Sequence, residues 1–214
     1  MAQYKVTFYV DADEDLIKEL QYNGAELIAE QLNIKSISTF NIEPLNSNEQ
    51  KQFLGTIKLK NKTQVTDPGY MPNESGTATL NTLPGEYKTF LFMKDYGTLG
   101  NRVLNLQIRH KDYINKNLTF NSVSYIDVDS GNVGFFDYEK FVEERSKDEK
   151  IEKDGDIGPF RSMWWDLVGE RKYGGIILDY GTISRTGRGD GSYELQVAYN
   201  ENLQVIAAKI IFIE

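Results

Sequence analysis

From Phe53 to the C-terminus, apolar residues alternate in short runs separated by turn signals, and that period of two confines this part of the chain to β-structure. Ile57 and Leu59 alternate with lysines, a turn is expected at Asn61-Lys62, and the chain returns through Val65. The runs at 77–83 and 86–93 flank Pro84-Gly85, a turn pair. Leu104, Leu106 and Ile108 alternate as a half-buried strand does, and Val123, Tyr125 and Asp127 repeat the pattern before Ser130-Gly131-Asn132. The runs 176–183, 192–199 and 205–213 close the chain as strands, the last two joined at 200–202. Two short helices interrupt the series. One is predicted at 137–145, with Phe141 and Val142 on one side, and the other at 161–170, packed by Trp164 or Trp165. The expected class is α+β, mostly antiparallel β, a sandwich or barrel-like sheet with two short helices.

Residues 1–52 carry a different pattern. A β-rich run at 4–10 ends in Asp11, Asp13, Glu14 and Asp15, acids that suit a helix start because they meet the positive end of the macrodipole. Leu16, Ile17, Leu20, Leu27, Ile28 and Leu32 follow a helical stripe broken at Asn23-Gly24, and 34–42 reads as a strand. Strand, helix, strand predicts a small βαβ extension at 1–52, with 44–52 as its exit linker and a mainly β domain from 53 to 214.

Composition removes several classes of chemistry. There is no cysteine, so no disulfide framework, thiolate nucleophile or Cys-ligated metal is available. His110 is the single histidine, which excludes His-pair metal sites. No signal-peptide pattern opens the chain and no apolar run approaches 18 residues, so a soluble, cytoplasmic protein without a membrane partner is expected.

Charge is unevenly placed. The net charge is −8. Residues 1–54 hold four bases and nine acids, a net of −5, and residues 137–156 hold nine acids against five bases. Such a surface repels phosphate backbones, so direct nucleic-acid binding is not expected. It suits a basic protein partner, or it simply keeps the chain in solution.

Six motifs occur in order: VTDPGY (65–70), PGEY (84–87), NRV (101–103), DVDSGNVGFFD (127–137), WW (164–165) and GDGSY (189–193). Together they resemble an uncharacterised family of bacterial and phage proteins, a domain of unknown function, over roughly residues 55–214. Family members often carry cysteine where this chain has Gly69, so a thiol role there is absent. The resemblance implies a fold and no activity. The family's occurrence in phages implies a host-interaction role.

Among candidate groups, Asp127 and Asp129 flank a turn where hard cations find oxygen ligands. An EF-hand would need Gly and Glu where Asn132 and Tyr138 stand, so an Asx turn is the expected reading and no metal is predicted. The loop Gly187-Arg188-Gly189-Asp190-Gly191 precedes a strand rather than a helix N-terminus, against a phosphate loop and for a bulged hairpin. The Trp164-Trp165 pair offers either a stacking platform or core packing. His110 shows no partner for acid–base work, and pairs such as Asp67 with Asp127, or Asp129 with Asp190, would need the fold to bring them together. No enzyme signature or cofactor requirement emerges.

The expectation is therefore a non-enzymatic interaction protein, encoded by a phage or mobile element. It binds a host protein, for example a defence nuclease as an anti-CRISPR protein does, through Asp11, Asp13, Glu14, Asp15, Glu19, Glu26 and Glu30. The alternative is a small-molecule or nucleotide binder, or a hydrolase, built from loops of the β domain. Its residues would be Asp67, Tyr70, Asp127, Asp129, Trp164, Trp165, Arg188, Asp190 and Tyr193.

Overall fold

A computed structural model of the chain describes residues 4–9, 17–22, 39–44, 49–169 and 172–213. The chain forms two compact units, Met1–Glu49 and Gln50–Glu214. In the first, β1 (Tyr4–Tyr9) pairs antiparallel with both β2 (Ile17–Tyr22) and β3 (Thr39–Pro44), in the order β2-β1-β3. The expected βαβ unit is corrected on two counts. Ile17 and Leu20, predicted on a helix, lie in β2, and β1 runs antiparallel to β3, whereas a βαβ crossover requires parallel strands. Asn23-Gly24 leaves too short a stretch before it to nucleate a helix, and β1 offers that stretch a full ladder of hydrogen bonds. The second half of the predicted helix lies outside the described residues.

The second unit has the mostly antiparallel β class with two helices. Its strands are β4 (Glu49–Leu59), β5 (Lys62–Thr66), β6 (Ala78–Asn81), β7 (Gly85–Asp95), β8 (Asn101–His110), β9 (Asn121–Val128), β10 (Asn132–Asp137), β11 (Gly174–Ile177), β12 (Gly181–Arg185), β13 (Gly191–Tyr199) and β14 (Val205–Ile211). They form a six-stranded sheet, β4-β7-β8-β14-β13-β9, and a five-stranded sheet, β11-β12-β10-β5-β6. The expected exit linker is shortened, because β4 already begins at Glu49. Its polar start suits an edge strand, and Lys51 lies over the Phe90 ring at 4.6 Å. The turns expected at Asn61-Lys62 and Pro84-Gly85 are corners that carry the chain from one sheet to the other.

The sheets bury one core between them, with Ile57, Leu91, Leu106, Ile126 and Ile210 from one side and Val65, Val133 and Phe135 from the other. The opposite face of the five-stranded sheet carries α1 (Tyr138–Glu152) and α2 (Pro159–Val168), so its central strand β10 is buried at every position. There Phe136 stacks on Phe141, centroids 4.9 Å apart, and meets Phe160 edge-on at 5.9 Å. Ala198, Ile206 and Ala207 on the outer face of the six-stranded sheet are covered by Tyr113, Leu118 and Phe120. Among the described residues no helix is long and apolar enough to cross a membrane.

The helices are capped by acids. Asp137 accepts from the Lys140 amide at the start of α1 and from the Lys60 amide at the sheet corner. Gly158, at the start of α2, has no side chain to cap with, and buried Asp148 of α1 replaces it by accepting from the amides of Phe160 and Arg161. A Cβ on Gly158 would collide with that carboxylate, so only glycine fits.

Two outcomes follow. Phe136→Ala should cost about 3–5 kcal/mol in urea unfolding, because the ring fills the joint between sheet and helices. Buried Tyr87 donates toward the carbonyls of Leu83 and Val205, each 2.8 Å away, and burial pushes its phenol well above the ordinary value. The unfolded chain can ionise near pH ~10 while the folded chain resists, so stability should hold below that pH and fall as pH rises past it. Thermal midpoints across pH 8 to 11 check this, about 8 and 11 being chosen to bracket the free phenol; a flat profile would contradict it.

Candidate functional site

Three of the motif-bearing loops, at 67–70, 129–132 and 186–190, converge, and Asp67 ties the first two together. It sits at the end of β5, 1% exposed. Its Oδ2 accepts from the amides of Asp129 at 2.9 Å and Ser130 at 2.7 Å, and its Oδ1 accepts from the Ser130 hydroxyl at 2.9 Å and the Gly69 amide at 2.8 Å. A buried carboxylate is tolerable only when donors surround it, and here four do. The β9–β10 turn is thus tied to the 67–70 loop. Arg145 fastens that loop to α1 by donating to the carbonyls of Tyr70 at 3.3 Å and Gly69 at 3.1 Å, while its Nη1 lies 3.7 Å from Asp148.

The glycine-rich loop joins the same cluster. The Thr186 amide donates to the Gly131 carbonyl at 2.9 Å, and the Thr186 hydroxyl and Gly189 close a small ring. Tyr193 donates to the Gly189 carbonyl at 2.7 Å from its buried place in the core. On the outside, Tyr70 donates to Asp129 at 2.6 Å. That bond, then burial and the nearby acids, raises the Tyr70 pKa, so the phenol stays a neutral donor rather than a nucleophile.

Beside this knot opens a cleft of about 680 Å³. The start of β8 contributes Asn101 and Arg102, the β9–β10 turn and first residue of β10 Ser130 to Asn132, α2 Trp165, and the end of β12 with the loop after it Arg185 to Gly189. Three of the seven arginines of an acidic chain line it, and none of the described lining residues is a carboxylate. Among the described residues none of Arg102, Arg185 and Arg188 lies within ion-pairing distance of an acid. Arg185 donates to the carbonyls of Val168 at 2.6 Å and Gly169 at 3.0 Å, which neutralises the negative end of α2 where it meets the cleft. Arg102 and Arg188 are left with exposed guanidinium groups. Asp190 stands nearby, its Oδ1 3.8 Å from where a Cβ on Gly131 would lie.

The predicted site residues therefore divide. Trp165 and Arg188 line the cleft. Asp67 holds the loops together, Tyr70 and Asp129 bond each other, and Asp127 caps the edge by donating its amide to the Gly76 carbonyl. Trp164 and Tyr193 are core residues, 2% and 6% exposed, and Asp190 does not line the cleft. Asp67 cannot serve as half of an acid–base pair with Asp127, since both its oxygens already accept. His110 is packed between the rings of Tyr87 and Tyr113, with its Nδ1 accepting from the Asp112 amide, away from the cleft. Among the described residues no group of three His, Cys, Asp or Glu is placed to hold a metal. Of the acids expected to meet a partner, Asp11, Asp13, Glu14, Asp15, Glu26 and Glu30 lie outside the described residues, and Glu19 falls in β2. Sequence reasoning missed Arg102, Asn132, Tyr173 and Arg185. Arg102 and Asn132 stood inside quoted motifs, whereas Arg185 and Tyr173 gave no signal before the sheet order placed them.

Asp67→Ala should cost roughly 3 kcal/mol or more, because it leaves several inward-facing donors without an acceptor. Asp67→Asn should recover little, since one of its two polar atoms would confront N–H groups as a donor. Urea unfolding of the three proteins decides it, and an Asn variant as stable as the parent would contradict this role. No family model, curated protein or solved structure matches the chain.

Proposed function

We propose that the β unit is a binding module for a small anionic ligand, held in the cleft by Arg102 and Arg188, with Arg185 adding to the positive potential. The observation that carries this reading is the local reversal of charge: a chain of net −8 lines one cleft with three arginines and no described carboxylate. Focused positive potential in a concave, partly apolar site draws anions that the rest of the surface repels. Asp67 and Asp129, carboxylates on which a hydrolase reading would draw, are occupied as acceptors within the fold, which favours binding over hydrolysis.

A second reading, a basic protein partner bound by the acids of residues 11–30, rests on the net −5 of residues 1–54. It uses a different part of the chain and is compatible with the first. Reversing Asp11, Asp13, Glu14 and Asp15 to lysine should weaken capture of such a partner and flatten its salt dependence; unchanged capture would contradict it.

Pyrophosphate is the probe for the cleft. Calorimetric titration should give saturable binding that weakens with salt. The Arg102→Ala, Arg188→Ala double variant should lose about tenfold or more in affinity, the equivalent of one charge-assisted contact. Asp190→Asn should tighten binding by removing a nearby negative charge. Binding that is absent, or equal in the double variant, would overturn the proposal.

A further inference from the structure

We infer that the anion bound in this cleft carries a planar base, which makes the ligand a nucleoside phosphate. This rests on the anion-binding reading and adds the second half of the ligand. Trp165 lines the cleft and is 43% exposed, although its neighbour Trp164 is 2% exposed and the other aromatic side chain of α2, Phe160, is fully buried. The indole is nonetheless held in place. The Trp164 ring meets it edge-on at 5.7 Å and 80°, and the Arg161 guanidinium lies over it at 5.0 Å. An exposed aromatic ring that is fixed from two directions is prepared to receive a flat partner without ordering cost. Tyr173 adds a second aromatic wall, half-buried in the same lining.

The hydrogen-bonding group is Asn132. It is 8% exposed and lines the cleft, and its Nδ2 donates to the Ser130 carbonyl at 2.6 Å. That bond fixes the amide orientation and leaves Oδ1 without a partner among the described residues. A fixed, unpaired acceptor in a mostly buried position suits an exocyclic amino group of a base. The phosphate then falls to Arg102 and Arg188 and to the loop at Gly187 and Gly189. The glycine-rich loop leads into β13 rather than into a helix, so guanidinium groups replace the helix amides of a phosphate loop. The volume of about 680 Å³ is in the range that small-molecule sites occupy.

The test titrates the full chain with the four ribonucleoside 5′-monophosphates, ribose 5-phosphate and pyrophosphate, and repeats the series on Trp165→Ala. At least one amino-bearing nucleotide should bind about tenfold more tightly than ribose 5-phosphate, the scale that base–aromatic stacking supplies. Trp165→Ala should erase that difference while its thermal midpoint stays near that of the parent, which certifies that the variant is folded. Nucleotides binding no better than ribose 5-phosphate, or unaffected by Trp165→Ala, would overturn the inference and leave the anion site standing. Failure of every probe, pyrophosphate included, would remove both.

Discussion

The carboxylate of Asp67 is the constraint on which the motif-bearing end of this fold depends. Burying one negative charge demands that donors converge on it, and the donors come from two segments, at Gly69 and at Asp129-Ser130, distant in sequence. Two loops are thereby fixed with a few hydrogen bonds and little apolar burial. The glycine-rich loop is then held against the fixed turn through Thr186 and Gly131, and Gly131 adopts a φ of +67° that other side chains rarely accept. The cleft is the space left beside this assembly, and the turn at 130–132 and the loop at 186–189 form part of its walls.

A second buried charge system does the same work one layer out. Arg145 reads the carbonyls of the 67–70 loop, and Asp148 caps a helix whose own cap position is a glycine. Such a buried pair adds little net stability over an apolar replacement, but it fixes register between elements. Here it locates α2, and with it Trp165, relative to the loops that Asp67 organises. Folding and the candidate site thus share neighbourhoods: Asp67 and Asp148 are held as structural acceptors, and the cleft beside them is lined by arginines, an amide and an indole.

How much of this was legible in the sequence follows from what local patterns encode. The period of two gave the strands of the second unit, and Phe141 and the tryptophan pair marked the two helices. Partner strands were harder to read. Asn61-Lys62 and Pro84-Gly85 look like hairpin turns because a corner between sheets uses the same turn residues, and only the shared core of Ile57, Leu59 and Val65 tells them apart. Residues 17–22 satisfied a helical stripe and became a strand because tertiary pairing overrides a short stretch of periodicity. At the site, Trp165 and Arg188 stood out by type, whereas Arg185 and Tyr173 became visible only through β12 pairing with β10 and β11, which brings their segment beside the β9–β10 turn.

Charge is unevenly distributed along this chain: residues 1–54 are acid-rich, and the β unit gathers arginines in one cleft. The central claim concerns that gathering, and amide chemical shifts followed during a pyrophosphate titration of the full chain test it most directly. The account predicts that the largest shifts fall on residues 101–103, 130–132, 165–169 and 185–189, the segments that line one cleft though distant in sequence. Shifts scattered over the surface lysines, or concentrated outside those segments, would contradict it.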